Sequence, residues 1–230
     1  MPLVLLAGMN CTPDLWTGCG LDDAVTPVMD VGDLDAQVDR LLAELPDTFV
    51  IGGLSLGAIV AMAVAVRAPE RVSGLCIAAA NAKAPTPTQR VGWQRWLDGL
   101  AAGETPVELQ AGILPLLLSP RVRASRPDLV QRVLRMGEET PDAVLAAQLR
   151  LQATRIDLRP GLRAVRTPSL VIEGADDALC PPSFHDEIAA ALPEVRRERL
   201  DAGHLVALER PAEFGAAVHS WRAGLGAAVR

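Results

Sequence analysis

The sequence contains no tyrosine and only three phenylalanines, so aromatic contact with a ligand falls mainly to its four tryptophans, Trp16, Trp93, Trp96 and Trp221. It has no apolar run approaching the ~20 residues that a spanning helix requires, which argues against membrane insertion. Leu3–Ala7 is too short for a secretory core, has no basic stretch before it and no small-residue cleavage site after it, and reads as a buried strand. A formal net charge of -6, with no basic run carrying interleaved aromatics, argues against nucleic acid as a partner. The four cysteines, Cys11, Cys19, Cys76 and Cys180, form no CxxC pair and have no nearby histidine to complete a zinc set. They are expected to be reduced thiols of a cytoplasmic protein, with no metal. Two nucleotide signatures are also missing. Gly52 to Gly57 has the spacing of a phosphate loop, but Ala58-Ile59 stand where Lys-Ser/Thr is required, and no G-x-G-x-x-G occurs.

What is present is a chain of 230 residues, long enough for one domain with a sizeable core. Short β-like runs alternate with helix-period segments, the pattern of a parallel sheet flanked by helices. Strands are expected at Leu3–Ala7, Ala24–Met29, Thr48–Gly52, Val72–Ala79, Ser169–Glu173 and Val195–Leu200. Helices are expected at Leu34–Leu45, Ser55–Arg67, Ser183–Leu192 and Pro211–Ala223. The near-continuous apolarity of the strand runs suits strands covered on both faces. Between about Asn81 and Pro160 the alternation stops. Only helix-like pieces occur there, at Val91–Ala101, Ile113–Leu118, Leu129–Met136 and Ala143–Leu151. The expected fold is therefore α/β, with a core built from 1–80 and 161–230 and a helical cap at 81–160 inserted after the fourth strand.

Between the third strand and its helix lies Gly53-Leu54-Ser55-Leu56-Gly57. A sharp strand-to-helix turn can hold a serine in a strained conformation with its hydroxyl clear of the sheet. Glycines two residues to either side let the strand and helix backbones approach without Cβ clashes. The turn also sets Ser55 at a helix N-terminus, where backbone N–H groups favour negative charge. Ser55 is the candidate nucleophile.

A serine hydroxyl needs a base, and the base an orienting carboxylate. Of three histidines, His185 and His219 fall within expected helices and read as ordinary helical residues, whereas His204 lies just past the last strand. That is the same sheet edge as Ser55, where open parallel sheets build their sites. The acid is expected in Glu173-Gly174-Ala175-Asp176-Asp177 after the fifth strand. Asp176 and Asp177 compete, and a turn at Gly174 favours Asp177 by carrying the later residue back toward His204. Charge developing on a carbonyl oxygen needs donors: the N–H of Leu56, beside the nucleophile, and the N–H of Met9 in the loop after the first strand. Trp16, Trp93, Trp96, Leu117 and Met136 are the candidate pocket residues, together with Met9 and Leu56, and their character suggests an apolar acyl or alcohol group.

These features together resemble the α/β-hydrolase superfamily, in particular the branch of bacterial carboxylesterases that includes pimeloyl-carrier-protein methyl ester esterases and proline iminopeptidases. The resemblance runs through Leu5-Leu6-Ala7-Gly8, Gly53-Leu54-Ser55-Leu56-Gly57, Ala68-Pro69-Glu70-Arg71-Val72, Asp157-Leu158-Arg159-Pro160, Gly174-Ala175-Asp176-Asp177 and Gly203-His204. In the family pattern the acid is the third residue after the glycine, which is Asp177. The family's usual His-Gly of the oxyanion loop is Ala7-Gly8 here, and about six parallel strands are expected, without the family's two N-terminal antiparallel edge strands. The resemblance implies a serine hydrolase acting on a small-molecule carboxylic ester through an acyl-enzyme, without metal or organic cofactor. The same triad could serve an acyl-thioester substrate or acyl transfer. Peptide cleavage of the iminopeptidase kind would require acidic cap residues to hold an amino group, for which Glu104, Glu108, Glu138 and Glu139 are available.

Overall fold

The computed structural model describes residues 1–225. Six strands, β1 (Leu3–Leu6), β2 (Ala24–Val25), β3 (Phe49–Leu54), β4 (Val72–Ala78), β5 (Ser169–Gly174) and β6 (Val195–Leu200), form one sheet in the order β2-β1-β3-β4-β5-β6. Every neighbouring pair is parallel. β1, β3 and β5 are buried along their whole length, as strands with helices on both faces should be. β6 is an edge, and Arg196, Arg197, Glu198 and Arg199 fill it with charge that discourages pairing with another chain. The second strand is much shorter than the expected Ala24–Met29. It stops at Val25, because Pro27 has no N–H to donate to the ladder.

The helices on the frame are α1 (Leu34–Glu44), α2 (Leu56–Arg67), α8 (Arg159–Leu162), α9 (Pro182–Ala191), α10 (Val206–Glu209) and α11 (Pro211–Leu225). Ten of the twelve residues of α2 are buried, so this helix is apolar all round because it is enclosed, not because it faces a membrane. Two apolar clusters sandwich the sheet. One gathers around Leu6, Phe49, Ile51 and Met62, the other around Leu5, Leu54, Phe214 and Trp221. Among the described residues no helix is long and apolar enough to cross a membrane.

Between β4 and β5 the regular structure is helical throughout: α3 (Pro87–Ala101), α4 (Pro106–Leu117), α5 (Pro120–Ser125), α6 (Pro127–Glu139) and α7 (Asp142–Thr154). Proline opens four of these helices, where its missing N–H is no loss. Thr86 and Thr105 begin α3 and α4 with reciprocal capping boxes. The segment is tied back where it leaves and rejoins the frame. Leu158 N–H donates to Ala82 O at 2.8 Å, while Lys83 and Arg159 both pair with Glu187 of α9 at 2.7 Å. Arg71 has another anchoring role, donating to the carbonyls of Leu42, Leu45 and Pro46 that end α1.

Candidate active site

A sharp turn joins β3 to α2. Ser55 sits there at φ 56 and ψ −115, a region L-residues occupy only under constraint. The constraint is visible: Ser55 N–H donates to Ala78 O on β4 at 2.9 Å. The flanking glycines allow the crossing. A Cβ on Gly57 would lie 2.0 Å from Leu6 O, and one on Gly53 would lie 2.3 Å from the Gly57 carbonyl carbon. Leu56 begins α2, so its N–H is one of the helix's unpaired first-turn donors.

β5 ends at a second close crossing, where a Cβ on Gly174 would meet Gly203 O at 2.2 Å. This brings the loop after β5 against the loop carrying His204. Asp177 is buried and grips the ring, with Oδ2 2.9 Å and Oδ1 3.1 Å from His204 Nδ1. Asp177 Oδ1 also accepts from the N–H groups of Leu179 and Cys180 at 2.9 and 2.8 Å. Asp176 points outward and is exposed. Burial disfavours the charged form of His204, but the Asp177 charge and hydrogen bond, with a contribution from Cys180, outweigh it. Its pKa therefore lies above the ordinary 6.5.

Ser55 and His204 open onto one cavity of about 280 Å³. Met9, Trp93, Trp96 and Leu117 line it with them. Trp16 and Met136, expected in this wall, are elsewhere. Trp16 is buried against Phe214, ring centroids 5.8 Å apart, and Met136 is fully enclosed in the cluster beneath α6. Apolarity brought both into the core instead. The four glutamates considered for an amino group also miss the cavity. Glu104, Glu108, Glu138 and Glu139 are exposed, Glu108 capping α4 and Glu139 accepting from Thr12.

Several residues with a part here gave no signal in the sequence. Asn10, at φ 57, fixes the loop that carries Met9. Its N–H donates to Gln148 Oε1 of α7 at 2.8 Å, and its Nδ2 donates to Pro106 O and Gln110 Oε1 of α4 at 2.8 and 3.0 Å. On the other side of the cavity, buried Glu209 accepts from both N–H and Oγ of Ser119 at 2.7 Å, and Leu205 N–H donates to Leu117 O at 3.0 Å. The loops bearing Met9 and His204 are thus both fastened to the helices above them. His185 is more than an ordinary helical residue: fully buried, it accepts from Ala80 N–H at 3.2 Å and faces Glu173.

All four cysteines are free, and burial pushes the thiols of Cys11, Cys19 and Cys76 up to about 12, out of reach of thiolate chemistry at neutral pH. Cys11 and Cys180 both line the cavity, and Cys180 lies beside His204. Asp177, Cys180 and His204 have their potential metal-ligand atoms within 4.8 Å of one another. The carboxylate and Nδ1 are already engaged with each other, so a cation there would have to displace the proton between them.

Comparison with known proteins agrees with this geometry. The family model described as "Alpha/beta hydrolase family" matches residues 3–217. A pimeloyl-[acyl-carrier protein] methyl ester esterase from Aromatoleum aromaticum is 30% identical, over 91% of this chain and 93% of its own. Another of that name, from a Shewanella species, is 28% identical over 84% and 75%. Among solved structures, a thermophilic esterase from Thermogutta terrifontis with malate bound superposes with a TM-score of 0.88 at 24% identity, covering 98% of this chain and 90% of that one. Sheet order, turn geometry and sequence match agree: the chain belongs to the alpha/beta hydrolase family.

Proposed function

We propose that this protein hydrolyses a carboxylic ester through an acyl-enzyme formed on Ser55. The observation that carries the reading is His204, held by the buried Asp177, on the wall of the cavity into which the strained Ser55 opens. Ser55 Oγ attacks the ester carbonyl. His204 takes the serine proton and returns it to the departing alcohol, then activates water against the acyl-enzyme. Asp177, occupying Nδ1, leaves Nε2 as the working nitrogen and stabilises the imidazolium as it forms. The N–H groups of Met9 and Leu56 hold the oxyanion.

The helices between β4 and β5, within 81–160, act as the cap. Trp93 and Trp96 from α3 and Leu117 from α4 give the substrate an apolar surface. The catalytic set is complete without a metal or an organic cofactor. A cytoplasmic setting suits the four free thiols. The names of the relatives make a methyl ester of a carrier-bound acyl chain one substrate to test beside simple alkyl esters.

A fluorophosphonate probe followed by peptide mass spectrometry tests the proposal. We expect one adduct, on Ser55, lost in Ser55→Ala and slowed in Asp177→Asn. Absence of an adduct on folded wild-type protein overturns it. Turnover of matched ester and thioester donors, with and without an alcohol acceptor, separates ester hydrolysis from thioester hydrolysis and acyl transfer.

A further inference from the structure

Arg155 follows the last turn of α7 and lines the cavity that holds Ser55 and His204. It is 4% exposed. Its Nε and Nη2 have no hydrogen-bond partner, and among the described residues no carboxylate forms an ion pair with it. The neighbouring amide has not relieved it. Gln152, one helical turn earlier on the same wall, is itself buried with Oε1 unpartnered. Burial draws the Arg155 pKa down to about 10, so the group stays charged at neutral pH.

An unpaired buried charge costs several kcal/mol even after relaxation. Two features offset part of this. The guanidinium carbon lies 5.1 Å from the centroid of the Trp93 ring, a favourable cation–π contact. The carbonyl end of α7, where Arg155 is the C-cap, also favours a positive charge. Neither supplies an acceptor to the two N–H groups. Among the described residues no aspartate or glutamate lines the cavity, and Arg155 is its one permanently charged wall residue.

Resting on the esterase reading, we infer that the substrate is a half-ester: its ester lies at Ser55 and a free carboxylate on the same molecule is held by Arg155. Nε and Nη2 form one edge of the planar guanidinium, and two parallel donors on an edge match the two oxygens of a carboxylate. Trp93, whose ring lies 5.1 Å from the guanidinium carbon, also lines the cavity. The apolar surfaces of Trp96, Ile113 and Leu117 receive the carbon chain between the two ends.

The test compares monomethyl adipate with methyl hexanoate at pH 7, following acid release. The wild type should prefer the half-ester by kcat/KM. Arg155→Met should lose about 10- to 100-fold on monomethyl adipate, mainly through KM, while methyl hexanoate changes by less than about threefold. Arg155→Lys should fall between, keeping the charge without the fork. No preference in the wild type overturns the inference, as does an equal loss on both esters in Arg155→Met, which would assign Arg155 a structural role. Greater preference for a phosphate-bearing methyl ester overturns the carboxylate assignment. Adipate binding to Ser55→Ala, read from tryptophan fluorescence, needs no turnover. If that binding depends on Arg155 while no ester is hydrolysed and the probe leaves Ser55 unlabelled, the esterase reading fails and the anion site stands. If esters are hydrolysed and adipate does not bind, the anion site fails alone.

Discussion

Asn10 and Gln110 clasp each other across a hundred residues of chain: Asn10 Nδ2 donates to Gln110 Oε1 at 3.0 Å, and Gln110 Nε2 donates back to Asn10 O at 3.1 Å. Both are buried. The contact joins the loop that carries Met9 to α4, so in the proposed mechanism the position of the oxyanion donor depends on α4 being seated. Asn10→Ala removes the side-chain half of the clasp, along with the bond to Pro106 O, and places a side chain poorly suited to φ 57. We expect kcat on a simple ester to fall by up to about 100-fold, as for loss or misplacement of one oxyanion donor, with KM changed less than about threefold. Asn10→Gly, which tolerates the backbone angle, should lose a similar factor in kcat. Unchanged kcat in Asn10→Gly, despite lowered stability in urea, would show that the clasp serves the fold alone.

The two adjacent aspartates separate cleanly by exchange for asparagine. Asp177→Asn preserves an acceptor for the Leu179 and Cys180 N–H groups but offers the His204 ring an amide in place of a carboxylate. That favours the wrong tautomer, and kcat should drop about 10⁴-fold with the fold intact. Asp176→Asn alters an exposed side chain and should leave kcat within about twofold. Steady-state kinetics beside circular dichroism of both variants decides; equal losses in the two would refute the assignment of Asp177.

The raised pKa of His204 has two consequences of opposite direction in pH. Catalysis needs the neutral ring, so kcat/KM should climb with pH along an acid limb whose midpoint lies above 6.5. Stability follows the charged ring paired with Asp177. This contribution is fully present below the unfolded pKa of about 6.5 and is lost as pH rises through the higher folded value. Asp177→Asn leaves burial to dominate and should move the limb below 6.5. Cys180→Val removes a smaller influence and should move it down by less. A pH–rate profile unaltered in Asp177→Asn would contradict the pairing.

How much of this could be read along the chain depends on whether the signal was local. Ser55, Asp177 and His204 each follow a strand and adjoin glycines whose spacing reports a backbone crossing, so their placement at one sheet edge was legible. Trp16 and Met136 were misplaced because apolarity marks what avoids water without saying which side of a wall it faces. The roles of Asn10, Gln110, Arg155 and Glu209 have no local signature. Each matters through a partner far away in sequence or through the lack of one, and neither condition leaves a local pattern. The short α5 was missed for a simpler reason: six residues are too few to show a helical period.

Glycines within these helices offer a last, quantitative contrast. At Gly57 an added methyl would lie 2.0 Å from Leu6 O and 2.5 Å from Ala7 O, both backbone atoms that cannot swing aside. Relief would require α2 to lift from β1, breaking buried packing and moving Leu56 N–H with it. Gly57→Ala should cost more than about 3 kcal/mol, at the level of severe overpacking, and abolish esterase turnover. Gly112 is also helical, but exposed on α4 with nothing within 4 Å of an added Cβ. There the methyl brings only helix propensity, and Gly112→Ala should stabilise by about 0.5–1 kcal/mol with turnover unchanged. Urea unfolding of both variants measures the difference. A folded, active Gly57→Ala would mean that the β1–α2 crossing is looser than its geometry states, and with it the placement of Ser55.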